Sequence, residues 1–127
     1  MTANVSQWTA DELAAISATE EVHVSSLRGD GTLSGGRTIW TVVVEGAVFI
    51  RSTDGPDKPW FRAAKNRGAG RLRVGDAGFD VTFHHTAGLD QSAIEAEYRR
   101  KHRHRPAYNI NRAAGSRATL RLLPQRG

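Results

Sequence analysis

The chain contains no cysteine. That one absence excludes disulfides, thiol nucleophiles, cysteine-bound zinc and iron–sulfur ligation together. Long apolar runs are missing too. The densest stretches are Val42–Val44 and Ala47–Ile50, far short of the ~18–20 residues a membrane-spanning helix needs. Met1-Thr2-Ala3-Asn4 has neither a basic segment nor an apolar core, so no secretion signal is expected and a cytoplasmic location is. No Gly-x-Ser-x-Gly elbow and no Gly-Lys-Ser or Gly-Lys-Thr phosphate loop occurs. Gly68-Ala69-Gly70 lacks the third glycine of a dinucleotide fingerprint. His84 and His85 are adjacent on an expected strand and so face opposite ways. His102 and His104 stand among cations that disfavour another cation. No metal site is expected.

What is present suits one compact domain: 127 residues, 39% hydrophobic and 24% charged. The net charge of +5 is unevenly spread. Residues 1–50 carry two basic and six acidic groups, residues 51–73 seven and two, residues 74–98 none and five, and residues 99–127 nine and none. Two basic blocks on an otherwise acidic chain point to an anionic partner, either a phosphorylated small molecule or nucleic acid.

Thr9-Ala10-Asp11-Glu12 reads as a capping box opening a helix of about ten residues that ends near Thr19. Val22 to Leu27 is a strand that stops at the Arg28-Gly29-Asp30-Gly31 turn. Arg37 to Glu45 is almost wholly β-branched or aromatic, and Glu45-Gly46 turns it into Ala47–Ser52, forming a hairpin. Pro59 suits the first turn of a second helix, with Trp60, Ala63 and Ala64 as its buried face and an end at Asn66–Gly68. Arg71–Val74 and Phe79–Phe83 alternate with a period of two across a Gly75–Gly78 turn. A third helix follows from Leu89 or Asp90 to about His102, burying Ile94 and Tyr98. Arg103–Gly115 is irregular, and Ala118–Leu123 is a last strand. Six strands joined mainly by tight turns make an antiparallel sheet, and a chain this short covers both faces best by curling it into a small barrel. The expected class is α+β, mainly antiparallel, with six strands and three helices. Within one domain over 1–127, residues 1–20 form the first helix, 21–124 the barrel and 125–127 a tail.

The segment Arg51-Ser52-Thr53-Asp54-Gly55-Pro56-Asp57-Lys58-Pro59-Trp60-Phe61-Arg62 combines hydroxyls, a helix start and three cations, which is what a phosphate requires; a solvated loop with exposed cations is the plain alternative. Gly29, Gly31, Gly35 and Gly36 beside Arg37 permit close approach of a ligand to the backbone. The run Arg99-Arg100-Lys101-His102-Arg103-His104-Arg105 either neutralises nucleic-acid phosphates or is a solvated helix end. It lacks interleaved aromatics for base stacking.

In order and spacing, five pieces resemble the split-barrel proteins related to pyridoxamine-phosphate oxidase, within them the deazaflavin-dependent nitroreductase branch. They are Ser25-Ser26-Leu27-Arg28-Gly29, Gly36-Arg37-Thr38-Ile39-Trp40, the Gly46 hairpin ending in Arg51-Ser52-Thr53-Asp54-Gly55, Pro59-Trp60-Phe61-Arg62-Ala63-Ala64, and Ala118–Pro124. The likeness is closest to a functionally unassigned subfamily. It implies a six-stranded split β-barrel carrying flavin mononucleotide or a deazaflavin, often at a homodimer interface, and an oxidoreductase acting on a small molecule. By that resemblance Arg51, Ser52 and Lys58 hold the cofactor phosphate, with Arg62 in support and Thr53 also among the cofactor-binding residues. Arg37, Thr38, Ile39 and Trp40 border the ring, and Trp60 packs beneath the binding loop. No catalytic side chain is implied, because the cofactor carries the chemistry. One departure stands out: Asp30 occupies a turn where the deazaflavin branch has a small hydroxyl residue and glycine. A non-enzymatic small-ligand or protein binder on the same barrel is the alternative, and nucleic-acid binding through the C-terminal bases a third.

Overall fold

The computed structural model describes residues 7–52, 57–85, 91–102 and 118–125. Its elements run α1 (Ala10–Ala18), β1 (Glu21–Ser26), β2 (Arg37–Val44), β3 (Ala47–Arg51), α2 (Pro59–Arg67), β4 (Ala69–Val74), β5 (Ala77–His85), α3 (Ser92–Lys101) and β6 (Thr119–Pro124). The strands close into a barrel in the order β1-β2-β3-β6-β5-β4, with every pairing antiparallel. The molecule is therefore a six-stranded antiparallel β-barrel with three helices, as the sequence implies.

Local chemistry explains most of these boundaries. At α1 the Glu12 N–H donates to Thr9 Oγ1 at 3.1 Å and the Thr9 N–H to Glu12 Oε1 at 2.9 Å, the reciprocal pair of a capping box. Glu45 and Gly46 both take positive φ, 51° and 80°, so the two-residue turn matches the twist of its strands. Pro59 opens α2, and Gly68 closes it in the left-handed region.

Alternating side chains fill the barrel. Val22 and Val24, Val48 and Ile50, Leu72 and Val74, Val81 and Phe83, and Leu120 and Leu122 form one buried cluster. Each such side chain contributes about 1.5–3 kcal/mol by leaving water. Trp8 and Ile16 close one end, where the Trp8 indole N–H donates to Leu122 O at 2.9 Å and its ring meets Phe79 edge-on. Phe61 and Ala64 of α2 close the other, with the Phe61 ring 5.7 Å from that of His85. The sequence reading put Trp60 and Ala63 on the buried face of α2. The helix is rotated so that Phe61 and Ala64 are buried, leaving Trp60 and Ala63 half-exposed. Phe61 wins that position because it fills the mouth of the barrel.

Outside the barrel, α3 lies on β2 and β3. Ile94 and Tyr98 pack there with Val42, Ala47 and Phe49, and Trp40 and Val44 lie alongside. Cover on both faces leaves all five positions of β3 buried. The helix begins at Ser92; the expected start at Leu89 or Asp90 lies outside the described residues. So do Thr53–Pro56, the Arg103–Gly115 stretch and the final two residues of the tail.

Lys101 ties three elements together at the end of α3. Its ammonium donates to Thr41 O at 2.7 Å and to Ile16 O at 3.2 Å. Burial, reinforced by Arg100, lowers its pKa to about 8 against the opposing pull of Glu97 and Glu20. Between that value and the ordinary lysine value, the unfolded chain holds a proton that the folded chain has released. Stability attributable to this group therefore rises with pH across the window. Urea denaturation at about pH 7 and about pH 10.5 should show a rise in wild type that Lys101→Met reduces. An identical pH dependence in both proteins would refute the assignment.

Candidate functional site

The expected site residues separate into two regions. The first lies beneath α3. Arg51 ends β3 on the outer face of the barrel and is 1% exposed. Its Nε donates to Thr119 Oγ1 at 2.8 Å, across the strand pair, and its Nη2 to Gln91 Oε1 at 2.7 Å. Nη2 also stands 3.7 Å from Glu95 Oε2, and the guanidinium covers the Tyr98 ring at 5.6 Å. Burial lowers the Arg51 pKa, opposed by Tyr98 and Glu95. Burial likewise pushes the Tyr98 phenol well above its usual range, with Arg51 pulling the other way. The Tyr98 hydroxyl donates to Trp40 O at 3.2 Å, and the Trp40 indole stacks on His102 with ring centres 4.2 Å apart and 4° between planes. Ser52 is also buried, its N–H donating to Ala118 O at 3.0 Å. Arg51, Ser52 and Trp40 thus belong to the packing that fastens α3 and β6 to β3. Among the described residues, the Arg51 guanidinium is thus engaged by a hydroxyl, an amide and a carboxylate of its own chain.

The second region is a groove of about 230 Å³ between α2 and the ends of β1 and β2. Trp60, Ala63 and Ala64 form one wall, Val24 and Ser26 the floor, and Ser34 and Gly36 the other wall. The two serines are coupled: the Ser26 N–H donates to Ser34 Oγ at 2.9 Å, and the Ser34 N–H to Ser26 O at 2.9 Å. Gly36 has φ 83°, and a Cβ there would fall 2.3 Å from His23 Nε2 and 2.6 Å from Ser25 Oγ. A side chain at that position would therefore disturb the wall. Arg37 and Thr38 follow it, exposed, while Ile39 turns into the barrel core. Lys58 caps the start of α2 and is half-buried; Arg62, one turn in, is exposed.

The groove thus joins Trp60 to the glycine loop before Arg37, two pieces the sequence reading treated separately. Thr53 lies outside the described residues. Ser34 and Arg67 escaped the sequence reading, and Ser26 entered it only within the Ser25–Gly29 piece, with no site role. For Arg67 a signal existed: seven residues after Trp60, it returns to the same stripe two helical turns on. Its Nη1 donates to Leu27 O at 3.3 Å.

An apolar groove lined by a tryptophan and two serines suits a planar ring with polar edges. The volume lies below the ~300–1,000 Å³ of pockets that enclose a whole drug-sized ligand, so a nucleotide would extend beyond it. In the described part of the Arg99–Arg105 run, Arg100 pairs with Glu97 and Lys101 turns inward. No described helix is long and apolar enough to cross a membrane.

Comparison with solved structures supports the architecture. A conserved hypothetical protein from Mycobacterium tuberculosis superposes with TM-score 0.65 at 8% identity, over 99% of this chain and 86% of its own. A provisionally assigned pyridoxamine 5′-phosphate oxidase from Listeria innocua gives 0.58 at 12% identity, over 90% of each chain. A protein from Mesorhizobium loti described as FAD-binding gives 0.56 at 12%, over 93% of this chain and 89% of its own. The fold thus resembles the split barrels of such proteins. No curated protein matches the chain. Residues 12–122 match the model of the family described as "Uncharacterized protein conserved in bacteria (DUF2255)", and the chain belongs to that family.

Proposed function

We propose that this protein binds a flavin-type cofactor, flavin mononucleotide or a deazaflavin, with the ring in the α2 groove, and acts as an oxidoreductase on a small molecule. The groove carries the reading: a tryptophan-walled slot with paired serines, on a barrel whose structural relatives include a protein named as FAD-binding and one provisionally named as an oxidase. Bound there, the cofactor would supply hydride chemistry. Trp60 and the alanines of α2 would hold the ring and exclude water from one face, and the Ser26 and Ser34 hydroxyls would meet its polar edge. Lys58, at the positive end of α2, would balance the phosphate. Arg37 and Thr38 would border the mouth, with Arg62 adding charge beside it. Arg51 and Ser52 would act at one remove, fixing the end of β3. Because the groove is smaller than the ligand, a second copy of the chain would cover the remainder.

The test is thermal denaturation of the wild-type protein with flavin mononucleotide, with a deazaflavin and with riboflavin. A cofactor at a hundredfold its Kd should stabilise the fold by about 2.7 kcal/mol. Trp60→Ala should abolish that shift for all three, and Lys58→Ala should reduce it for the phosphorylated ligands alone. No shift with any of them in wild type would end the proposal.

A further inference from the structure

The groove has a second end. From Pro59 to Arg67 helix α2 runs about 12 Å, and Arg67 stands where the helix meets the turn after β1. Its guanidinium lies against the backbone of that turn, with Nη1 3.3 Å from Leu27 O and 3.6 Å from where a Cβ on Gly29 would sit. Leu27 and Leu33 form a bridge directly beyond the Ser26–Ser34 pair that lines the groove. Arg67 therefore stands one step past the groove's hydroxyls, exposed to solvent.

The turn after β1 itself carries Arg28 and Asp30. The Arg28 Nη1 donates to Thr32 Oγ1 at 3.4 Å. Asp30 is folded back onto its own turn, accepting from the Thr32 hydroxyl at 2.7 Å and the Thr32 N–H at 3.0 Å. Those bonds, with a smaller pull from Arg28, hold its carboxyl below the ordinary range. The carboxylate thus stays charged, held on its own turn by Thr32, and the turn brings it together with the two guanidinium groups of Arg28 and Arg67. Helix α2 bears Arg62, Lys65 and Arg67 and no acid.

We propose that Arg67 is the residue that selects an anionic group, phosphate or carboxylate, on the ligand of the α2 groove, at the end opposite Lys58. The inference rests on the groove being the ligand site, as argued above, and not on the ligand being a flavin. A ligand lying along α2 then carries negative charge at both ends and a planar body between them. The far group belongs either to the cofactor's own tail or to the substrate beside it.

Nuclear magnetic resonance on the full 127-residue chain separates the possibilities. Inorganic pyrophosphate and, separately, flavin mononucleotide and riboflavin are titrated while the Arg67 side-chain Nε–H signal and the Gly29 and Gly31 amides are followed. Pyrophosphate should shift these signals saturably, and Arg67→Gln should weaken its binding about tenfold or more, the loss expected for a charge-assisted contact. Lys65→Gln, the same charge change on the far side of α2, should stay within about twofold of wild type. If pyrophosphate acts as stated and no flavin binds, the Arg67 assignment stands and the flavin reading falls. If a flavin binds in the groove while the Arg67 and Gly29 signals are unmoved by every ligand, the Arg67 assignment falls and the flavin reading stands. Equal losses in the Arg67 and Lys65 variants mean diffuse charge and also overturn it. No response to any ligand overturns both.

Discussion

Arg51→Ala should lower the melting temperature of this protein by about 10 °C, whether or not a ligand is present. The substitution removes a fully buried guanidinium and leaves Thr119 Oγ1, Gln91 Oε1 and the Glu95 carboxylate facing the space it vacated. Removing one member of a buried charged pair typically costs about 3–5 kcal/mol, because the remaining groups are neither solvated nor paired. Glu95 is partly exposed, at 29%, so the lower part of that range applies. Near 3 kcal/mol, a chain of this size loses about 10 °C. Arg51→Lys keeps the charge but not the planar fork that reaches two acceptors at once, and should fall between. Differential scanning calorimetry without ligand is the measurement. A change within about 2 °C would show that Arg51 braces nothing, and would return it to the pool of phosphate-binding candidates.

Gly70→Ala should be of similar severity for a different reason. Gly70 pairs with Ser26 across β1 and β4, where the barrel closes. A Cβ at this position would lie 2.0 Å from Ser25 O and 2.8 Å from Phe83 Cε2. The oxygen belongs to the backbone of the paired strand, so relief requires strand separation and not a change of rotamer. Overpacking of this kind costs roughly 1–3 kcal/mol, and a main-chain obstacle puts Gly70 at the upper end. The damage would reach the groove as well, since Ser26 both lines it and pairs with Gly70. Chemical denaturation compared with Gly75→Ala, whose Cβ would meet nothing within 4 Å although its φ is 59°, separates a clash from ordinary backbone strain. If Gly75→Ala proves the more damaging, the close approach at Gly70 is not what holds the seam.

These two positions show where sequence reading succeeds and where it stops. The capping box at Thr9, the Glu45-Gly46 turn and the proline-led start of α2 are local devices whose partners lie within four residues, so spacing alone reveals them. Strand count and antiparallel order follow from the short turns. Arg51 could not be placed that way. As the last residue of a strand beside Ser52 and Thr53 it looks available to solvent, and its burial depends on Gln91, Glu95 and Tyr98, some forty residues later. A hint was present in Ala47–Ile50, where four consecutive apolar residues signal a strand covered on both faces, which places its successor under cover too. The groove was legible only in halves, because Trp60 and Gly36 become neighbours through the closure of the barrel.

Closure also governs how copies of this chain can meet. Each of the six strands has a neighbour on both sides, and the stretches paired on one side alone are short: in β2, Arg37–Trp40 pair with β1 and Thr41–Val44 with β3. Templated strand addition, the step that starts fibrils and many domain exchanges, is therefore offered only short half-paired stretches among the described residues. A meeting of two intact copies would thus fall mainly to side chains, and among the described residues Leu27 and Leu33, 38% and 41% exposed, are the large apolar ones on display.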